Sequence, residues 1–321
     1  MLFVPLFKNY NISVKASDSV TTWHVDDDGP ADFKTIQDAL NNYTHVSDGD
    51  IIYVHEGIYY ENVIINRTIS LIGENKSATI VDCGGTGDAI SISKANNVSV
   101  KGFTIRKSGT YDNGILVDHS MGCDISDNII IDNSEGIRLD YSSGNVIYGN
   151  IILSNNDGIS LYSSSDNMIS SNIISSNSYY GIYLASSGKN WISRNFISYN
   201  DLAGISLSLS SDNMVSGNTI SSNNPYGISL YSSNNNTIYH NNFDNAEQVF
   251  GVYTNFWDYD SEGNYWSDYT GADMFSGPYQ NESGSDGIGD RPYVIDEINQ
   301  DNYPLMGTFY DFEVILERET Y

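Results

Sequence analysis

The chain has 321 residues, 40% of them hydrophobic and 17% charged, with a formal net charge of −27 and a pI near 4.1. That charge repels polyanions, so nucleic acid is excluded as a partner. The 25 Tyr and 11 Phe are foreign to a disordered tract, and two cysteines, Cys83 and Cys123, are too few for a disulfide scaffold and form no CxxC pair.

The chain opens with MLFVPLFKNYNISVKASDS, a short apolar run followed by Val14-Lys15-Ala16. This reads as the tail of a secretory signal peptide, so residues 1–19 are expected to be a leader and the protein to be exported. Elsewhere there is no apolar run long enough to cross a membrane. A short amphipathic helix is expected next, with Phe33, Ile36 and Leu40 on one face, as the cap a stacked array needs. Strands are expected around Ile51–Val54, Val63–Ile65 and Ile69–Ile72. Cys83 and Cys123 are compatible with a bridge or with two buried thiols.

From Gly114 onward the chain repeats itself. Gly114, Gly136, Gly158, Gly181, Gly204 and Gly227 are spaced by 22, 22, 23, 23 and 23 residues. One place after each stands Ile, three after Val or Leu, eleven after Ile or Val, and sixteen after Ile or Phe. Such a period indicates a solenoid. The β-branched columns and polar corners predict short strands, and a helical period does not generate them. Each coil should therefore carry three strands, stacked on its neighbours at about 4.8 Å.

The polar columns are as regular. Asn128, Asn150, Asn172, Asn195, Asn218 and Asn241 stand fourteen places after each Gly, and Ser stands six places after each. Asn133, Asn155, Asn177, Asn200 and Asn223 form a further column. Asn tolerates left-handed backbone and its amide both donates and accepts, so these columns are read as corner residues and structural ladders. After Gly251 the period fails. The aromatic residues Trp257, Tyr265, Trp266, Tyr269, Phe275 and Tyr279 are expected to fold over the last coil, and residues 311–321 to be a linker or a continuation. The expected division is therefore one β-helix domain over 20–310, with cap and first coils over 20–113, regular repeats over 114–250 and a C-terminal cap over 251–310.

The repeat, its leading segment FKTIQDALNN…SDGDIIYVHEGIYYENVIINRTISLIGENKSATIVDCGG and its closing segment GNYWSDYTGADMF…DGIGDRPYVIDEINQDNYPL resemble one known family. It is the NosD-like, "periplasmic copper-binding" branch of the pectin-lyase-like superfamily, also described as CASH repeats. The resemblance runs over about residues 22–306. It implies an all-β, right-handed parallel β-helix and, by the family's name, copper. The fold hosts enzymes and non-enzymes alike, so it does not decide function. The polygalacturonase-like motifs are missing from the coils, and Arg138, Lys189 and Arg194 fall at different places of the repeat. Asp118-His119 is only a partial echo of an epimerase-like Asp-Pro-His.

Copper requires converging His, Cys or Met. His119 and His240 lie on different sides of the coil and Met168 and Met214 two coils apart, so no copper set is visible in the sequence. Calcium takes carboxylates, and the acidic turns at Asp258, Asp260, Asp286 and Asp290, with a third at Asp26, Asp27 and Asp28, are the candidate ligands. For carbohydrate, the candidates are Tyr179, Tyr180 and Tyr226, where the longer coils place their extra residue just before the Gly, with Tyr162 and Tyr231 on another column. The expected function is an exported, non-catalytic surface module that binds carbohydrate or a cell-surface protein. A polysaccharide lyase or hydrolase and an accessory protein for copper delivery are the alternatives.

Overall fold

The computed structural model describes residues 20–251 and 253–310, so the expected leader and the last eleven residues lie outside the described residues. A parallel β-helix is what the columns produce. Three parallel sheets run the length of the array, with ten, nine and ten strands. The long-strand sheet is built from six-residue strands such as Asn113–Asp118, Asp157–Tyr162 and Tyr226–Tyr231. The second sheet is built from three-residue strands such as Val146–Tyr148 and Met168–Ser170, and the third from strands such as Ile151–Leu153 and Ile173–Ser175.

Each apolar column becomes one inward ladder. In the long-strand sheet Ile115, Ile137, Ile159, Ile182, Ile205 and Ile228 pair in series, all fully buried. The columns eleven and sixteen places after each Gly do the same in the other two sheets. Burying one Ile is worth about 2 kcal/mol, but a single coil has no partner surface, so the stacked array folds as one unit.

The extra residue of the longer coils lies just before the Gly, as the spacing predicts. Asn155 and Asn177 bond to each other in register, Gly158 follows three residues after the first, and Gly181 four after the second. The glycines are required by close approach. A Cβ on Gly181 would stand 2.6 Å from the carbonyl oxygen of Gly204 and 2.6 Å from Ile197 Cγ2.

One expectation about the corners is corrected. The left-handed residues are those just before the ladder Asn: Asp127, Ser171, Arg194 and His240 before one column, and Asp132, Ser154, Ser176, Tyr199 and Ser222 before the other. The Asn residues themselves are not left-handed, so their type is set by hydrogen bonding and not by backbone conformation.

The ends differ from the expectation in detail. The helix is Ile36–Asn41, with Ile36, Ala39 and Leu40 buried and Thr35 accepting from the Asp38 amide. Glu61 accepts from the first two helix amides, Ile36 and Gln37. Phe33 lies before the helix, bridged to Val25 and packed edge-on to Trp23. The coils already stack through the first segment, where Val63 pairs with Ile90 and Ile90 with Ile115. At the other end Trp257 and Trp266 are buried, and Trp266 lies between Phe243 and Tyr293 with centroids 4.6 and 4.3 Å away. Phe275 and Tyr279 are exposed, so only part of the expected aromatic cluster covers the last coil. Cys83 and Cys123 are free and buried.

Candidate functional site

The inward positions are consumed by the core, so a site can only lie on outward columns and corners. The most concave of these is on the second sheet. Twelve places after each repeat Gly, the outward column reads Tyr148, Ser170, Ser193, Ser216 and Tyr239, paired in register. The three serines form a floor, and the two tyrosines close its ends. Four strand steps of about 4.8 Å make the row roughly 19 Å long. Met168 and Trp191 wall one side, while Ser171, Arg194, Gly217 and His240 line the other, with Phe309 above. The groove encloses about 550 Å³. Trp191 is 46% exposed, and its Nε1 donates to Ser216 Oγ at 3.4 Å. His240 is held by Glu262 at 2.6 Å and stacks on Phe309 with centroids 4.1 Å apart. No Asp or Glu lines the groove. Its serines and Trp191 escape a search for titratable groups; the signal that finds them is a period-22 to 23 column of small hydroxyls bracketed by tyrosines.

The tyrosines singled out in the sequence divide into groups. Tyr162 and Tyr180 meet through a residue that the sequence does not single out, Tyr183. Tyr180 stacks on it with centroids 5.0 Å apart, and Tyr162 meets it edge-on at 5.7 Å. Arg138 lies over the Tyr162 ring at 4.1 Å. Burial raises the phenols of Tyr162 and Tyr180 above their usual range. Tyr226 shares the Tyr180 column, but the buried Ala203 stands between them, so the expected strip is interrupted. Tyr226 packs on Phe250 at 4.6 Å, and Tyr231 faces Tyr253 at 6.3 Å. Tyr179 is half exposed and bonds through its backbone to Asn156.

Next to this cluster lies a group of carboxylates. Glu135 and Asp157 are direct neighbours on adjacent long strands. Burial pushes the Asp157 carboxyl up to about 6, opposed by the Tyr180 amide and assisted by the charge of Glu135. Arg138 donates to Glu135 Oε1 at 2.9 Å and to both Asp140 oxygens.

The acidic turns proposed for calcium do not converge. Asp258 accepts from the backbone and side chain of Asn302, and Asp290 from the Met274 and Phe275 amides. Asp286 accepts from Gly277, Gln280 and Ile288. Asp260 is left-handed at a turn. These oxygens cap their own loops. Among the described residues, the one group of three or more His, Cys, Asp and Glu within common reach of an ion is Asp26, Asp27 and Asp28, and Asp26 also caps its own turn through the Gly29 amide.

For copper the structure adds one pair that the sequence does not reveal. His24 Nδ1 and His55 Nε2 lie 3.0 Å apart on neighbouring strands, and Glu74 holds the other nitrogen of His55. Two imidazoles are fewer than the three to four donors copper takes. Cys83 and Cys123 are buried elsewhere, and Met168 and Met214 are separated by Trp191 in their column. The donor set does not fit a copper centre. His119 pairs with Asp118 on the surface and stacks on Tyr141.

The fold has counterparts among solved structures. Pectin methylesterase from carrot superposes with a TM-score of 0.56 at 13% identity, covering 75% of this chain and 85% of the esterase. ORF18 of Geobacillus virus E2 superposes with a TM-score of 0.51 at 15% identity, covering 68% and 53%. In sequence, 98 residues are 38% identical to a cell surface glycoprotein of Methanothermus fervidus; they are 30% of this chain and 16% of that protein. This chain thus spans a small part of that relative's length. Residues 40–271 match the family described as periplasmic copper-binding protein (NosD), which is most of the β-helix, and the chain belongs to that family.

Proposed function

We propose that this β-helix is a non-catalytic module of the cell surface that binds a glycan chain laid along the serine-floored groove. The observation that carries the reading is the row Ser170, Ser193 and Ser216 between Tyr148 and Tyr239, with the Trp191 face exposed beside it. Sugars present hydroxyls and flat C–H faces. Serines supply donors and acceptors, and indole and phenol rings supply apolar faces with polar tips. A protein partner would be better served by an apolar floor. Glycoside hydrolysis needs two carboxylates across the bond, and the groove lining holds none. The cell surface assignment is supported by the likeness to the Methanothermus fervidus surface glycoprotein.

The tyrosine cluster at Tyr180 is a second reading, favoured by the stacked Tyr180–Tyr183 pair. A glycan array probed with the full chain and two variants separates them. Trp191→Ala is expected to weaken binding at least tenfold, and Tyr180→Ala to leave it unchanged. The opposite pattern moves the site to the long-strand sheet, and no glycan bound by the wild-type chain sinks both readings.

A further inference from the structure

The outer face of the long-strand sheet carries an unusual concentration of orphaned oxygens. Among the described residues four buried side-chain polar atoms have no hydrogen-bond partner, and three of them, Asn113 Oδ1, Glu135 Oε2 and Ser160 Oγ, lie together here. Asn113 pairs in register with Glu135, Glu135 with Asp157, and Arg138 with Ser160. Asn113 is 7% exposed and Ser160 0%. The Asn113 amide nitrogen is committed to Asp88 Oδ1 in the preceding coil at 2.7 Å, which leaves the amide oxygen as its free end. A buried polar atom without a partner costs about 1–3 kcal/mol, so three in one patch call for a common partner.

All three atoms can accept, and the patch is over-supplied with negative charge. Asp88, Glu135, Asp140 and Asp157 stand against one cation, Arg138. Arg138 is occupied by Glu135 Oε1 and Asp140, which turns it away from Glu135 Oε2. A proton donor satisfies one such oxygen, whereas a hard cation satisfies several at once and screens the mutual repulsion of the carboxylates. Glu135 Oε2 is shut from solvent, which keeps it from a bulky sugar but not from a bare ion.

We propose that Asn113, Glu135, Asp157 and Ser160 form a calcium site on the outer face of the long-strand sheet. Calcium is favoured over magnesium because the donors come from three successive coils with fixed spacing. Calcium accepts irregular oxygen cages, while magnesium demands a near-ideal octahedron. The site is independent of the serine-floored groove, which lies on another sheet.

The test is calorimetric titration of calcium chloride into the chelator-treated full chain, paired with thermal melts. The wild-type chain is expected to bind calcium and to melt higher with it. Glu135→Gln and Asp157→Asn, which keep side-chain size, should each weaken binding at least tenfold while retaining the wild-type circular dichroism. Asp26→Asn, in the separate acidic turn, should bind as wild type. Lowering the pH from 7 to 5 should weaken binding, as a proton takes the place of the ion on Asp157. Absence of any calcium-dependent heat or melting shift in the wild-type chain overturns the proposal. So does calcium binding that survives in both carboxylate variants, or that is lost only in Asp26→Asn.

Discussion

Asn172 shows what one residue of this solenoid does. Its Oδ1 accepts from the amide of Asn150 at 2.9 Å and from the Asn150 side chain at 3.1 Å. Its Nδ2 donates to Ile147 in the coil below and to Asn195 in the coil above, each at 3.0 Å. Every hydrogen-bonding group of the amide is used, and none faces water. Asn172→Ala leaves the buried Asn150 amide and the Ile147 carbonyl without partners. At about 1–3 kcal/mol for each orphaned group, the loss should be about 4 kcal/mol, read as a lower denaturation midpoint. Asn172→Asp should be at least as damaging, because it removes the donor and buries a charge. Position nine after each Gly holds a further ladder of this kind, through Asn145, Asn167, Asn190, Asn213 and Asn236. Where Cys123 takes that place, its amide still donates to Asn145 at 2.8 Å and only the downward side-chain bond of the ladder is given up.

At the scale of the coil, the repeat Gly sets how closely neighbours approach. Gly181→Ala drives a methyl group against Gly204 O, Ile197 Cγ2 and Asn200 Nδ2, all under 3.0 Å. Backbone cannot yield there without breaking the parallel ladder, so the substitution should cost about 3 kcal/mol. Gly144 provides the contrast. It is left-handed at φ 68° with open space around it, so Gly144→Ala incurs the conformational cost alone, about 1 kcal/mol. Denaturation of the two variants side by side separates close packing from backbone strain, and equal losses would contradict the close-approach account. The three-residue strands between such corners explain why outward columns are so legible once the register is known. Each presents one central inward residue and leaves its flanks free, as in Tyr148, Ser170 and Ser193.

Over the whole molecule the acids work in two directions. Asp301 ends an Asn ladder, accepting from the Asn264 amide at 2.7 Å and the Trp266 indole at 2.9 Å beneath the C-terminal cap. Burial pushes its carboxyl up to about 7 from 3.8, against the pull of those N–H groups. Asp157 moves the same way, to about 6. A raised carboxyl contributes stability that is full below pH 4 and lost as pH climbs through the folded value, each tenfold change in proton affinity on folding being worth about 1.4 kcal/mol. Asp26 and Asp50 are lowered instead, Asp26 chiefly by the Gly29 amide and Asp50 by backbone amides and the Trp23 indole that outweigh its burial. Their contribution is present above pH 4 and lost on further acidification. Stability in denaturant should therefore peak near pH 5 and fall toward pH 8. Asp301→Asn should flatten the fall between pH 5 and 8, and an unchanged slope would show that Asp301 titrates normally.

Coil length, the inward columns and the ladders were legible in one dimension, because each is a property of one residue type recurring at one place in the repeat. Parallel stacking then follows from the core's need for a partner surface. What depends on distance between coils had to wait for the folded chain. Folding brought His24 to His55, tied Asn241 through Asn264 to Asp301, and interrupted the Tyr180 and Tyr226 strip with Ala203. It also joined Tyr148, Ser170, Ser193, Ser216 and Tyr239 into one groove. A column of the repeat shows which residues stack. Whether their free faces enclose a cavity depends on the turns that splay or close the neighbouring columns, and on a chain end such as Phe309 that arrives from outside the repeat.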